Sequence, residues 1–148
     1  MRHRLIIWSL LLASCGTQTN DSTTDKNVES EKTELVGENF SDFFVKFKND
    51  SLFQVERVKF PMTLKSWDIE QDKPTNDKLE ISNWRHLDFE YKDEYAKREI
   101  DAYTQETKMY ADSVKIQIRG VDNGIYIDYE FVNVDGQWFL VEEKDYSN

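Results

Sequence analysis

The chain is short of the residues that most often lock a small fold or carry chemistry. Its one cysteine, Cys15, leaves no partner for an internal disulfide, so stability has to come from an apolar core. Two histidines, His3 and His86, with that single cysteine are too few nitrogen and sulfur ligands for a zinc site. No Gly-x-Ser-x-Gly elbow accompanies them, so a Ser-His-Asp hydrolase is set aside. Positive charge is scarce too: 19 Lys and Arg face 29 Asp and Glu, a net −10. That balance repels phosphate backbones and argues against nucleic acid, whose binders carry basic patches. It argues equally against adhesion to anionic lipid by charge. Long apolar runs are absent; the one greasy stretch, Leu5 to Leu12, is too short to cross a bilayer as a helix.

What that stretch does have is a basic start, Arg2 and Arg4, and the ending Leu12-Ala13-Ser14-Cys15. A basic end before an apolar core is a secretory signal, and the small-small-Cys ending resembles the lipobox of bacterial lipoproteins. The resemblance implies a signal peptide over 1–14, cleaved before an acylated Cys15. Each buried methylene of such a lipid contributes about 0.8 kcal/mol, and two or more chains anchor stably. The mature chain would then carry 17 basic and 29 acidic residues, a charge of −12. From Gly16 to Glu38 there is no aromatic residue, and Thr, Ser, Asn, Asp, Glu and Lys dominate. Such a segment cannot bury enough surface to offset its ordering entropy. Residues 15–38 are therefore expected to be a tether, holding the rest roughly 25–30 Å from the anchor. All 19 aromatics beyond Trp8 fall between Phe40 and Tyr146, which marks one domain over 39–148.

Phe40, Phe43, Phe44 and Phe47 share one face of a helix. Asn39 suits its N-cap, Asp42 its first turn, and Lys46 and Lys48 its last. Ser51 to Gln54 reads as a capping box opening a second helix to about Val58. Pro61 turns the chain extended. Strands are expected at Met62–Trp67 and Leu79–Ser82, with a polar loop over Asp72–Asp77 between them. Leu87 to Tyr91 alternates like a strand; a short helix near 93–100 and a strand from about 102 follow.

The C-terminal third is the most regular. Asn123-Gly124 offers a two-residue hairpin turn that sets Ile118 opposite Tyr129, Ile116 opposite Phe131, Val114 opposite Asn133 and Arg119 opposite Asp128. Asp135-Gly136 offers a second, setting Leu140 beside Phe131 and Trp138 beside Asn133. Continuing that register puts Glu142 inward, beside Tyr129. The reverse face carries Val132, Phe139 and Val141, which a solvated face does not need; either another element covers them or they form a contact surface for a partner.

With these pieces in place, the chain resembles an uncharacterised family of Bacteroidetes lipoproteins, a domain of unknown function with a nuclear-transport-factor-2-like or cystatin-like fold. The residues that carry the resemblance are Phe53-Gln54, Arg57 and Phe60-Pro61, then Tyr129-Glu130-Phe131 and Asp135 through Leu140. It covers roughly 39–145 plus the lipobox. It implies a fold, α+β, with N-terminal helices closing one side of a cone whose other side is a curved antiparallel sheet, and it implies no activity.

Candidate chemistry is thin. His86 beside Trp84 reads as a surface or half-buried residue. Asp68 to Asp72 starts like a calcium loop, but Lys73 stands where the turn needs Gly and Leu79 where a bidentate Glu is required. Gln54 and Arg57, one helical turn apart, could line a cone mouth with Trp138 and Glu142 and hold a small ligand. Trp67, Trp84 and Trp138 could stack on a flat one.

The resulting expectation is a lipid-anchored envelope protein, at the periplasmic face or cell surface. It would be a non-enzymatic binding module for a protein partner, a second copy or a small ligand, without cofactor or metal. The alternatives are a cone-pocket enzyme or carrier using an inward carboxylate, as isomerases do, and a purely structural lipoprotein.

Overall fold

Residues 37–148 are described by a computed structural model; the expected signal peptide, Cys15 and most of the tether lie outside the described residues. The phenylalanine stripe forms helix α1, Phe40–Asn49, with the Asn39 side chain accepting from the Ser41 and Asp42 amides and Lys46 and Lys48 in the last turn. Helix α2, Ser51–Glu56, follows at once. Its cap is Asp50 rather than the expected Ser51: Asp50 Oδ1 accepts from the amides of Leu52 and Phe53, each at 3.0 Å. No helix among the described residues is long and apolar enough to cross a membrane.

Six strands make one sheet: β1 Val58–Asp68, β2 Lys73–Leu79, β3 Tyr103–Met109, β4 Ser113–Gly120, β5 Tyr126–Val134 and β6 Gln137–Asp145. Their order is β2-β1-β6-β5-β4-β3. The expected all-antiparallel sheet is in fact mixed, because β1 leaves the helices and pairs in parallel with the last strand, β6. The segment expected to be a polar loop, Asp72–Asp77, is largely strand β2, paired from Lys73 to Leu79 with β1. As an edge strand with mostly exposed side chains it has no buried face to write a period into the sequence, and an edge tolerates Pro74.

The second hairpin has the expected pairs, Phe131 with Leu140 and Asn133 with Trp138. The first slips by two residues: Ile118 faces Ile127, Ile116 faces Tyr129 and Val114 faces Phe131. The reason is a longer turn, since Asn123 spends its side chain on the Ala102 carbonyl (2.7 Å) and the Ile125 amide (3.1 Å) instead of closing a tight turn. A slip of two preserves the faces, so the same residues point inward.

Phe131 sits at the centre of the inner face. Its ring meets Phe40, Phe43, Phe44 and Phe47 of α1 edge-on, at 5.2–5.9 Å. The 87–91 segment is extended but pairs with no strand. Its alternation has another cause: Phe89 is buried against Phe44, Phe47 and Tyr129. A 3-10 turn, Asp93–Lys97, stands where the short helix was expected, and β3 begins at Tyr103. The concave side of the sheet is thus filled by rings from α1, α2 and this segment.

Candidate functional site

Three of the residues expected to line a cone mouth are internal ties. Gln54 is fully buried, and its side-chain amide donates to the Phe47 and Leu87 carbonyls while its oxygen accepts from the Leu87 amide at 2.7 Å. It completes no capping box; it staples the 84–92 segment to the helices. The Arg57 guanidinium grips Glu38 with both terminal nitrogens, at 3.0 and 3.3 Å, and donates to the Trp138 carbonyl at 3.2 Å. Its flat face lies 4.9 Å from the Phe53 ring centre. Trp138 is buried, its indole N–H donating to the Glu38 carbonyl at 2.8 Å. Glu38, placed by sequence in the tether, is therefore part of the domain, with its amide on the Gly136 carbonyl as well. Nothing in its polar neighbourhood announced this; its partners are far away in sequence.

The expected inward acid is also displaced. A β-bulge between Glu130 and Phe131 of β5 and their partners on β6 leaves Val141 as the extra residue, so Tyr129 faces Glu143 and Glu130 faces Glu142. Glu142 accordingly points to the outer face, where it pairs with Lys65 and lies 3.8 Å from Lys144. That carboxylate holds the Lys65 ammonium above its ordinary 10.5. Glu143 is the inner acid. Burial, with some repulsion from Asp145, raises its carboxyl above the ordinary 4.5, and burial with the neighbouring Glu143 charge pushes the Tyr129 phenol up. On the inner face a carboxyl whose affinity for a proton is raised thus stands across the ladder from a phenol.

The outer face is laid out in cross-strand rows. Val132 and Phe139 face each other there, half-buried, and Val141 sits at the bulge. They form no bare apolar patch, because Lys59 lies 3.7 Å over the Phe139 ring and Arg57 5.4 Å from it. Next come ion pairs, Lys115 with Glu130 and Arg119 with Asp128. Beyond them runs an aromatic row that the sequence reading missed, apart from Trp67. Trp67 meets Tyr146 edge-on at 6.3 Å, Tyr146 stacks with Tyr126 at 6.2 Å, and Arg119 lies over the Tyr126 ring at 3.7 Å. Trp67 is 43% exposed and Tyr126 41%. The row ends in a groove of about 300 Å³ lined by Asn123, Gly124, Ile125, Tyr126, Tyr146 and Asn148. The three tryptophans form no common lining: Trp84 packs on Phe60, Trp138 is core, and Trp67 alone faces out. His86 is exposed, and among the described residues no cluster of His, Cys, Asp and Glu is placed to hold a metal ion.

Helices against one side of a curved, mixed six-stranded sheet define the nuclear-transport-factor-2-like or cystatin-like fold. Solved structures similar to this chain include two of that description. A cystatin-like protein from Bacteroides caccae shares 24% identity at a TM-score of 0.57, over 75% of this chain and 76% of its own. A protein from Bacteroides uniformis shares 19% at 0.56, over 75% and 77%. A nuclear-transport-factor-2-like protein from Bacteroides fragilis shares 21% at 0.55, over 76% of this chain but 49% of its own, so this chain spans about half of that molecule. No curated protein matches. Residues 27–145 match the family model described as Domain of unknown function (DUF4348), and the chain belongs to that family.

Proposed function

We propose that this protein is a lipid-anchored envelope lipoprotein, held to a bacterial membrane through Cys15, whose domain is a non-enzymatic binding module working from the outside of its sheet. The observation that supports it is the filled concave side. With Phe43, Phe47, Phe89, Phe131 and Leu140 each at most 2% exposed there, a ligand meets the outer face and its rim before any cone interior. That face carries no helix among the described residues, and its exposed aromatics are the side chains that dominate recognition surfaces. The anchor raises the module's local concentration at the membrane surface without any new contact.

Labelling cells with radioactive palmitate tests the anchor. The wild-type chain should take up label and partition with detergent, and Cys15→Ala should do neither. An unlabelled chain with its first 14 residues still attached contradicts the proposal.

One observation favours a second reading, a carboxylate-dependent activity at the inner face. The residue to test is Glu143, which faces Tyr129, rather than Glu142.

A further inference from the structure

We propose that the groove at the end of the aromatic row is a saccharide-binding site, taking one ring of an uncharged glycan between Tyr146, Tyr126 and the 146–148 tail, with Trp67 beside the next ring. The inference rests on the reading that the domain works from the outside of its sheet.

The lining carries the argument. About a third of this chain is charged (32%), yet none of the six side chains around the groove is. The nearby cation, Arg119 over the Tyr126 ring, is already paired with Asp128, so an ionic ligand finds no free counter-charge on the lining. What the groove offers is two phenol rings, the carboxamide of Asn148 and the apolar flank of Ile125. Rings and neutral polar tips together match a molecule with apolar C–H faces and a rim of hydroxyls, which a pyranose is. At about 300 Å³ and widely open to solvent, the space would seat one sugar unit against its rings rather than enclose a large cofactor.

The walls are built. The Tyr146 amide donates to the Tyr126 carbonyl at 2.8 Å, the Tyr126 amide to Ser147 Oγ at 3.0 Å, and the Asn148 amide to the Gly124 carbonyl at 3.2 Å. Gly124 is what lets the tail approach so closely: a Cβ there would collide with Asn148. Asn123, by contrast, is committed to the Ala102 carbonyl and the Ile125 amide, so it shapes the groove and leaves recognition to the tyrosines and Asn148. Trp67, edge-on to Tyr146, extends the surface along the row, as a second ring of a chain would require.

The test is a titration of the full mature chain carrying Cys15→Ser, followed by two-dimensional NMR and tryptophan fluorescence. The probes are cellohexaose, maltohexaose and chitohexaose, with oligogalacturonate as the charged control. At least one neutral oligosaccharide should bind, shifting amides of 123–126 and 146–148 and changing Trp67 emission. Tyr146→Ala should weaken binding about tenfold and Tyr146→Phe about threefold, the latter with an unchanged fold. Gly124→Ala should weaken it through the displaced tail, and Ile81→Ala, at an exposed residue outside the groove lining, should bind as wild type. Absence of binding by all three up to about 10 mM, equal binding by Tyr146→Ala, or preference for oligogalacturonate overturns the site. If palmitate labels Cys15 while these sugars fail, this site falls and the anchored-module reading stands. If a sugar binds while Cys15 is unlabelled, the reverse holds.

Discussion

Glu38 shows how a single polar residue can belong to a fold without advertising it. Its carboxylate takes two hydrogen bonds from Arg57 and one from the Trp138 amide, and its backbone takes the Trp138 indole. Arg57 is 15% exposed and Glu38 27%, so solvent screens the pair only in part. Arg57→Ala should cost about 2 kcal/mol, read as a lower urea midpoint with an unchanged slope. Gln54→Leu should cost about 3 kcal/mol, since it strands the Leu87 amide and two carbonyls among packed rings. Glu143 works in the opposite direction. Its folded-state carboxyl binds a proton more tightly than the unfolded one. Its stabilising contribution is therefore full below about pH 4.5 and is lost as pH rises through the folded value. Glu143→Gln should raise Tm relative to wild type at pH 7, and the two curves should converge near pH 4. A gap that widens on acidification would refute the assignment of Glu143 as the buried acid.

At the scale of elements, legibility followed burial. Helix α1 was readable because a whole ring-bearing stripe faces the core, and the β5–β6 hairpin because Asp135 and Gly136 make a short turn with φ of 52° and 81° between alternating strands. Strand β2 was unreadable because its side chains face water, and 87–91 was misread because alternation reports an extended chain with one buried face, not a ladder partner. The bulge at Val141 had no local signature, and it alone moved the inner acid from Glu142 to Glu143. None of the groove was legible: its parts lie at 123–126 and 146–148, and only the chain reversal through β5 and β6 joins them. Phe131 is where α1 and the sheet meet, so Phe131→Ala should cost about 4 kcal/mol. It should also release α1, seen as lost amide-exchange protection from 40 to 49 before the strands open.

For the whole molecule, the decisive feature is which side of the sheet is free. Rings from three separate segments converge on the concave side, while the convex side keeps paired charges, Trp67, Tyr126 and the groove at its rim. A filled cone turns a fold that can enclose a pocket into one that presents a surface. A soluble gadolinium chelate added to the isotopically labelled domain measures this directly, because it broadens signals in proportion to their access to solvent. The Trp67, Tyr126 and Tyr146 ring signals should broaden at low chelate concentrations, while those of Phe43, Phe47, Phe131 and the Ile116 and Leu140 methyls stay sharp. Early broadening of the Phe131 or Leu140 signals would mean an open interior, and would move the functional surface to the inside of the cone.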